Sequence, residues 1–248
     1  MIKFLIYEGE NMESLHEIGI KYNTDKAWSR INKKGVKVYG HNYLKYYELF
    51  LQSLREHKFT LVELGCYTGA SLKMWKEYFP HANIVGVDLD ESLKKLEEDR
   101  ISFICCDATS SDLPEKIVHY GQHIECIIDD CSHAWGDQRR TFEMLFPMLA
   151  DGGYYIIEDL ECGSMGAYPD YPPKVLDAQP FWDYAIDRAR YLRVSRRRHP
   201  EEKRPYFDQL PPHIQEIEKS IDMAVIVPGA IIFRKESQER AKQECQII

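Results

Sequence analysis

Two short stretches of the sequence collect acidic side chains beside a histidine. Residues 129–133 read D-D-C-S-H after an apolar run, and residues 158–159 read E-D after another. If both runs are neighbouring parallel strands, their carboxyl ends meet at the edge of the sheet where such folds bind ligands. A group of carboxylates needs a cation to balance its negative charge, and carboxylate oxygens are hard ligands that suit Mg²⁺. The plainer interpretation is that Asp129 and Glu158 cap strands or bind a cofactor while the other carboxylates face water.

A glycine turn follows an earlier apolar run. Residues 62–71 read V-E-L-G-C-Y-T-G-A-S, and Gly65 and Gly69 would let a ligand approach the backbone where a helix starts. The spacing is G-x-x-x-G and not the G-x-G-x-x-G of dinucleotide sites, so a nicotinamide cofactor is not favoured. The next apolar run ends in Asp88, placed to hold ribose hydroxyls, and Asp107 follows the run after that and could meet an adenine edge.

Apolar runs alternate with segments of helical periodicity from residue 60 onward. This alternation predicts parallel βαβ units in a doubly wound, Rossmann-like α/β fold. An antiparallel hairpin around Pro228-Gly229 completes a predicted seven-stranded, mostly parallel sheet. The predicted strands are 60–64, 83–88, 101–106, 124–129, 153–158, 223–227 and 230–234, and the predicted helices are 70–79, 91–99, 112–120 and 135–149.

Two further segments accompany this predicted sheet. Residues 1–59 are expected to form an N-terminal helical lid segment, with a polar loop at 23–42 before an apolar helical stripe that begins at Tyr43. Residues 60–248 form the predicted ligand-binding domain, in which about 160–215 are predicted to be a long irregular cap insertion. We expect a single structural domain overall.

The composition excludes several classes of protein. The chain has 248 residues and a formal net charge of −8, and this acidity argues against a nucleic-acid partner. No apolar run reaches the roughly 18 residues of a membrane span. Seven cysteines without a C-x-x-C pair are expected to be mainly buried, reduced thiols. With no signal-peptide pattern at the start, these features predict a cytoplasmic protein.

The motifs carry a resemblance to a known family. The run that contains Glu63, Gly65 and Gly69 resembles the first motif of class I S-adenosylmethionine-dependent methyltransferases. Residues 129–133 and 152–159 are similar to the metal-dependent sugar O-methyltransferases that tailor macrolides and glycans. The resemblance spans about residues 15–160 and the last hairpin. That family usually has glycine where Cys131 stands.

The resemblance implies an activity and a set of site residues. It implies Mg²⁺-assisted transfer of a methyl group from S-adenosylmethionine to a sugar hydroxyl of a glycan, nucleotide sugar or glycosylated natural product. By position, Asp130 and Asp159 would bind the metal, with Glu48 as a third carboxylate, and His133 would be the general base. The residues expected to bind the cofactor are Glu63, Gly65, Tyr67, Gly69, Ser71, Asp88, Asp107 and Asp129.

Two other functions stay open. The acceptor could be a catechol or another small-molecule hydroxyl, since aromatic cap residues such as Tyr168 and Trp182 permit an apolar wall. Alternatively, a non-catalytic methyltransferase-like subunit could bind a partner through the strip 188–204, which has eight basic and two acidic residues. The same strip could contact a phosphorylated acceptor, solvent or a second copy of the chain. Analogy with other proteins of the predicted fold favours a homodimer.

Overall fold

A seven-stranded sheet forms the centre of the fold. The computed structural model describes residues 12–121, 123–162, 183 and 209–237. From one edge to the other the sheet order is β5-β4-β3-β6-β7-β9-β8, in which the first five strands are parallel and β9 is antiparallel to both neighbours. The strands of this sheet are β3 (Thr60–Leu64), β4 (Asn83–Asp88), β5 (Ile101–Cys105), β6 (Ile124–Asp129), β7 (Leu149–Ile157), β8 (Ile221–Val227) and β9 (Ala230–Lys235). A separate two-stranded hairpin pairs β1 (Ser29–Ile31) with β2 (Lys37–Tyr39).

Helices cover both faces of the large sheet. The α-helices are α1 (Leu15–Lys21), α2 (Leu44–Leu51), α3 (Ala70–Tyr78), α4 (Leu113–Val118), α5 (Trp135–Leu145) and α6 (Pro212–Ser220). Short 3₁₀ helices occupy Gln52–Leu54, Glu91–Leu96 and Phe146–Met148. Ser14 and Glu17 form a reciprocal capping box that starts α1, because each side chain binds a backbone N–H of the other residue.

The strand periodicity separates two apolar layers. Successive side chains of a strand point to opposite faces of its sheet. On β6, Ile128 packs in the layer that contains α1, α2 and α3, while Ile127 packs in the layer that contains α4, α5 and α6. The same alternation on β3 and β7 decides which polar residue at a strand end faces which layer.

The structure confirms the predicted fold class and the parallel sheet with its terminal hairpin. Several predicted boundaries are wrong. The helix predicted for 135–149 ends at Leu145, because Pro147 has no N–H to donate and Leu149 already begins β7. The helix predicted for 91–99 is a 3₁₀ helix over Glu91–Leu96.

Two elements were not expected from the sequence. The polar loop predicted for 23–42 contains the β1–β2 hairpin. Helix α6 starts at Pro212, inside the segment predicted as an irregular cap, and proline is well suited to the first turn of a helix. Most of that cap, with its aromatic residues and the basic strip 188–204, lies outside the described residues.

Cysteine burial matches the prediction in most positions. Each of the six cysteines in the described part of the chain is unpaired. Cys66, Cys106, Cys126 and Cys162 are buried, but Cys105 is exposed and Cys131 is half-buried. No helix within the described ranges combines the length and the apolar character that crossing a membrane requires.

Candidate active site

Three carboxylates converge on one face of the sheet because their strands are neighbours. β6 lies between β3 and β7, and its register brings Leu64 and Ile157 beside Asp129. Glu63, Asp130 and Glu158 fall at the alternation positions that face α1 and α2. Adjacent parallel strands that end in acidic residues therefore concentrate negative charge at the carboxyl edge, as the sequence predicts.

A buried lysine from outside the sheet pairs with all three carboxylates of this cluster. Lys26 Nζ lies 2.5 Å from Asp130 Oδ2, 2.7 Å from Glu158 Oε2 and 3.3 Å from Glu63 Oε1. Its side chain is only 2% exposed. Long charged side chains are almost never fully buried unless they are paired, so Lys26 owes its position to these three carboxylates.

Burial and charge act in opposite directions on the pKa values of this cluster. Burial alone would lower the pKa of Lys26, but Asp130, Glu158 and Glu63 together raise it well above its usual value. Burial raises the pKa of Glu158 well above its usual value although Lys26 opposes the shift. Lys26 therefore remains an ammonium ion and supplies the counter-charge that the buried carboxylates need.

A second cluster lies at the mouth of the site. Asp130, His133 and Asp159 each offer a ligand atom within 4.8 Å of the other two, and all three are half-buried. His133 Nε2 is 3.7 Å from Asp159 Oδ2. The sequence predicts that these three residues share a site, and the structure brings them together. Their donor set, two carboxylates and an imidazole, can hold a divalent cation.

The backbone at this mouth is strained. His133 has φ = 54°, Ser132 has φ = 33° and Asp159 has φ = 54°, in the left-handed region that residues with a Cβ rarely occupy. The His133 N–H donates to the Cys131 carbonyl in a tight turn. Strained residues of this kind cluster at functional sites because the surrounding structure must hold them.

Asp159 is also bound from the N-terminal segment. The Tyr43 hydroxyl donates to Asp159 Oδ1 over 2.6 Å, and His41 Nδ1 lies 3.5 Å from the same oxygen. His41 and Tyr43 stack with their ring centroids 5.2 Å apart. Burial raises the pKa of Tyr43 far above its usual value, and the Asp159 charge adds to the shift. Tyr43 is thus a neutral donor that fixes the Asp159 carboxylate.

Asp129, expected to bind the cofactor, points to the opposite face of the sheet. Its carboxylate is fully buried and accepts the Thr141 hydroxyl from α5 at Oδ2, while the Cys131 thiol donates to Oδ1 over 3.2 Å. The Tyr155 hydroxyl lies 3.5 Å from Oδ2. These contacts attach β6 to α5. Two adjacent aspartates therefore have different surroundings, because strand alternation sends Asp130 to the site and Asp129 to the interior.

Asp129→Asn is expected to stabilise the protein at high pH. Burial raises the pKa of Asp129 to about 6, although the Thr141 and Cys131 hydrogen bonds lower it. The folded state therefore binds the proton more tightly than the unfolded chain, and stability falls as pH rises from about 4 to 6. Above that window the buried charge costs about 2 to 3 kcal/mol, which the neutral amide avoids.

Urea unfolding at pH 8 and at pH 5 measures this effect. The gain from Asp129→Asn should be about half as large at pH 5, where the native carboxyl is already mostly protonated. Asp151→Asn, at an exposed aspartate, is the control and should show no such gain. A loss of stability in Asp129→Asn at both pH values would contradict the burial argument.

The glycine turn has the shape that close backbone approach requires. Gly65 and Gly69 have φ values of +83° and +76°, and a Cβ built on Gly65 would lie 2.3 Å from the Asp130 carbonyl oxygen. Only glycine therefore fits where the β3 turn touches the end of β6. Gly69 is the N-cap of α3, whose first N–H groups follow directly. Asp130 therefore contacts the glycine turn through its backbone, and its side chain belongs to the cluster with His133 and Asp159.

Asp88 organises the same turn. Its Oδ2 accepts the Cys66 N–H over 2.8 Å and the Tyr67 N–H over 3.2 Å, while Oδ1 accepts the Asp90 N–H. A carboxylate has about four lone-pair sites, so Asp88 retains acceptor capacity for hydroxyls. Tyr67 is exposed in the left-handed region at φ = 47°.

The remaining predicted cofactor residues occupy different depths. Glu63 is fully buried beneath the turn, where burial raises its pKa against the opposing charge of Lys26. Ser71 is buried in the first turn of α3. Asp107 follows β5, where its Oδ1 accepts the Thr109 N–H and hydroxyl, each over 2.8 Å.

Glu48, expected as a third metal ligand, lies elsewhere in the structure. Its Oε1 accepts the Leu15 N–H over 2.8 Å, at the first residue of α1. A carboxylate there satisfies a free helix N–H and complements the helix dipole. The described structure does not bring Glu48 into the cluster of Asp130, His133 and Asp159.

Comparison with known proteins finds a family that matches the five parallel strands of the sheet and the glycine turn. A family described as "Methyltransferase domain" matches residues 62–157. Residues 62–157 are therefore similar to methyltransferase domains. The match runs from β3 to the end of β7 and includes the glycine turn, Asp88 and the 129–133 turn. It stops one residue before Glu158, so Asp159 and the N-terminal residues Lys26 and Tyr43 lie outside it.

Curated proteins similar to this chain are named as O-methyltransferases. L-olivosyl-oleandolide 3-O-methyltransferase of Streptomyces antibioticus is 32% identical over 58% of the chain. Mycinamicin VI 2''-O-methyltransferase of Micromonospora griseorubida is 28% identical over 61% of the chain. The aligned segments span only 36% and 37% of these relatives' own lengths. The predicted resemblance to sugar O-methyltransferases is thus confirmed, for about a third of each relative.

A solved structure shares the fold. The MycE methyltransferase from the mycinamycin biosynthetic pathway, in complex with Mg, S-adenosylhomocysteine (SAH) and mycinamycin VI, superposes with a TM-score of 0.68 and 21% sequence identity. The superposition covers 92% of this chain and 56% of that chain. The likeness confirms the Rossmann-like architecture of the fold.

Lys26 and Tyr43 were missed as site residues from the sequence alone. Both lie in stretches that carry the resemblance, but a lysine and a tyrosine in a polar segment have no distinctive spacing. The available signal was the excess of carboxylates at three strand ends, which requires a cation from somewhere in the fold.

Proposed function

We propose that this chain transfers a methyl group from S-adenosylmethionine to a sugar hydroxyl of a glycosylated natural product or glycan. The observation that carries the proposal is the contact between two features. The glycine turn of the methyltransferase domain touches Asp130, and Asp130 also belongs to the cluster with His133 and Asp159. A donor held at the turn would therefore lie beside a group of residues suited to activating a hydroxyl.

The residues around the turn fit the donor. Gly65 leaves its backbone open, Asp88 has spare acceptor capacity for ribose hydroxyls, and the first turn of α3 offers N–H groups. S-adenosylmethionine supplies an electrophilic methyl group, whose transfer to oxygen leaves S-adenosylhomocysteine. The task of the turn is to aim this group at the acceptor oxygen, since methyl transfer depends mainly on positioning.

The residues at the mouth fit a divalent cation such as Mg²⁺. Asp130 and Asp159 would hold it through hard carboxylate oxygens, and water and acceptor would fill the other positions. A bound cation would lower the pKa of the acceptor hydroxyl. Asp130 Oδ2 is bound to Lys26, so its second oxygen is the one available to a ligand.

His133 is the proposed general base. Its strained backbone turns the imidazole toward Asp159, with Nε2 3.7 Å from the Asp159 carboxylate. The acceptor O–H proton would pass to a ring nitrogen of His133 as the oxygen accepts the methyl group.

The acceptor class follows from the named relatives, which methylate sugars on polyketide scaffolds. The particular sugar and hydroxyl would be selected by residues of the 160–215 cap. A phosphorylated acceptor, such as a nucleotide sugar, is proposed as one form of the substrate, since the 188–204 strip could bind phosphate.

The first test is direct. Calorimetric titration with S-adenosylhomocysteine should show binding to the free protein, and transfer of labelled methyl should occur to deoxysugar glycosides of macrolides. Failure to bind S-adenosylhomocysteine would remove the proposed activity. Transfer to catechols but not to any glycoside would replace the acceptor class and keep the reaction.

Asp130→Ala is expected to lower kcat/KM by about 100-fold or more, because stabilisation by a bound cation contributes several kcal/mol. The fold should persist, since Lys26 keeps Glu158 and Glu63 as partners. The measurement is methyl transfer with and without EDTA in wild type, Asp130→Ala and the exposed-site control Asp99→Ala. Activity that EDTA does not reduce would rule out the metal role.

We also propose a homodimer that acts in the cytoplasm. The unpaired state of the six described cysteines suits a reducing compartment. The dimer rests on analogy with the fold alone, and light scattering of the purified chain measures it directly.

A further inference from the structure

The N-terminal segment contacts both proposed metal-binding carboxylates, and each contact uses a different side chain. Lys26 Nζ is 2.5 Å from Asp130 Oδ2, and the Tyr43 hydroxyl is 2.6 Å from Asp159 Oδ1. Both residues are buried. Asp130 directly follows β6 and Asp159 lies two residues after the neighbouring β7, so the two contacts lie side by side across the mouth of the site.

Lys26 and Tyr43 are themselves joined through the backbone. The Tyr43 N–H donates to the Lys26 carbonyl over 2.9 Å, and the His41 N–H donates to the Asp25 carbonyl over 2.7 Å. Residues 24–43 therefore form a hairpin-like unit with the two contacting residues at its base, which we call the clamp. A Cβ on Gly40 would lie 2.0 Å from the Ala27 carbonyl oxygen, so glycine permits the close approach of its two arms.

The other end of the clamp reaches the glycine turn. Lys33, between β1 and β2, places Nζ 5.8 Å from the centroid of the Tyr67 ring. Tyr67 lies between Gly65 and Gly69, in the turn expected to bind the donor. The clamp thus contacts the proposed donor turn at its tip and the proposed metal carboxylates at its base.

We propose that Lys26 and Tyr43 are positioning residues that orient Asp130 and Asp159 for a divalent cation, and that the clamp is a part of the metal site. This inference rests on the proposed function for the metal role of the two aspartates. Each contact occupies one oxygen of its carboxylate and leaves the other for the cation. Residues that orient metal ligands in this way typically contribute 10- to 100-fold to metal affinity, an order-of-magnitude range.

Cation binding and ordering of the clamp must affect each other reciprocally. If an ordered clamp strengthens cation binding, a bound cation must stabilise the ordered clamp by the same factor. A structural role for Tyr43 alone would not produce this reciprocal effect, so two independent measurements can test it.

The experiment compares Tyr43→Phe with Tyr22→Phe. Both substitutions remove one hydroxyl that donates to a carboxylate, since the Tyr22 hydroxyl binds Glu77 Oε2 over 2.7 Å, away from the site. Mn²⁺ is titrated and followed by electron paramagnetic resonance, and amide hydrogen exchange of residues 24–43 is measured with and without Mn²⁺.

We expect Mn²⁺ binding to weaken about tenfold in Tyr43→Phe and to stay unchanged in Tyr22→Phe. Mn²⁺ should slow hydrogen exchange of the clamp in the wild type and in Tyr22→Phe, and much less in Tyr43→Phe. Equal Mn²⁺ affinity in all three proteins would overturn the inference. Absence of Mn²⁺ binding to the wild type would overturn both the metal role and the inference. Weakened binding in a protein that transfers no methyl group would support the inference and overturn the proposed activity alone.

Discussion

Replacement of His133 by alanine is expected to lower kcat for methyl transfer by about 10² to 10⁴, the usual contribution of a general base. Affinity for S-adenosylhomocysteine should be unchanged, because the proposed partner of His133 is the acceptor hydroxyl and not the methyl donor. The position of Nε2, 3.7 Å from Asp159, puts the imidazole where an acceptor hydroxyl beside the carboxylates would release its proton.

A second measurement separates two roles that the geometry permits for His133. The imidazole lies within 4.8 Å of ligand atoms of Asp130 and Asp159, so it could bind the cation itself. A base leaves Mn²⁺ affinity intact in His133→Ala, and added imidazole should restore part of the rate. A ligand would lose Mn²⁺ affinity in step with activity. His119→Ala, at the exposed end of α4, is the control.

Much of the fold follows from local patterns in the sequence. The buried strands Thr60–Leu64, Asn83–Asp88 and Ile124–Asp129 have the predicted boundaries, because parallel strands covered on both faces are continuous apolar runs. The β1–β2 hairpin was missed because its strands are only three residues long and are largely exposed. Helix α6 lies inside the segment predicted as an irregular cap, and its prolines Pro211 and Pro212 do not oppose a helix because proline often begins one.

The candidate site was predictable only in part. Residues at strand ends follow from topology, so Asp130, His133 and Asp159 were expected to meet. The sequence could not show which of Asp129 and Asp130 faces the site, because a shift of one residue along a strand moves a side chain to the other face. Lys26 depends on carboxylates at positions 63, 130 and 158, which only the complete fold brings together.

The contrast between Asp129 and Asp130 links the fold to the proposed chemistry. Asp129 binds Thr141 and Cys131 in the interior and attaches α5 to the sheet, so it holds the strand end in place. Asp130 then lies at the mouth of the site, where it contacts Lys26 and groups with His133 and Asp159. Of the two adjacent carboxylates, Asp129 and Asp130, only Asp130 therefore lies where a ligand can reach it.

Lys26→Met is expected to destabilise the protein by about 3 to 5 kcal/mol, the cost of removing one partner from a buried ion pair. Methionine has a similar length and fills the space, so lost packing contributes little. The loss comes from Glu63, Asp130 and Glu158, which would retain their burial without the ammonium that neutralises them. The free energy of unfolding in urea measures it.

The matched control is Lys21→Met. Lys21 Nζ lies 2.6 Å from Glu77 Oε1, a separation like that of Lys26 and Asp130, but its side chain is 51% exposed. An exposed pair contributes little to stability, so the two substitutions separate burial from distance. Adding Glu158→Gln to Lys26→Met should recover part of the loss, because glutamine is neutral in the buried position without taking up a proton. A Lys26→Met loss no larger than that of Lys21→Met would show that the buried carboxylates are neutral without Lys26, and the counter-charge argument for this site would fail.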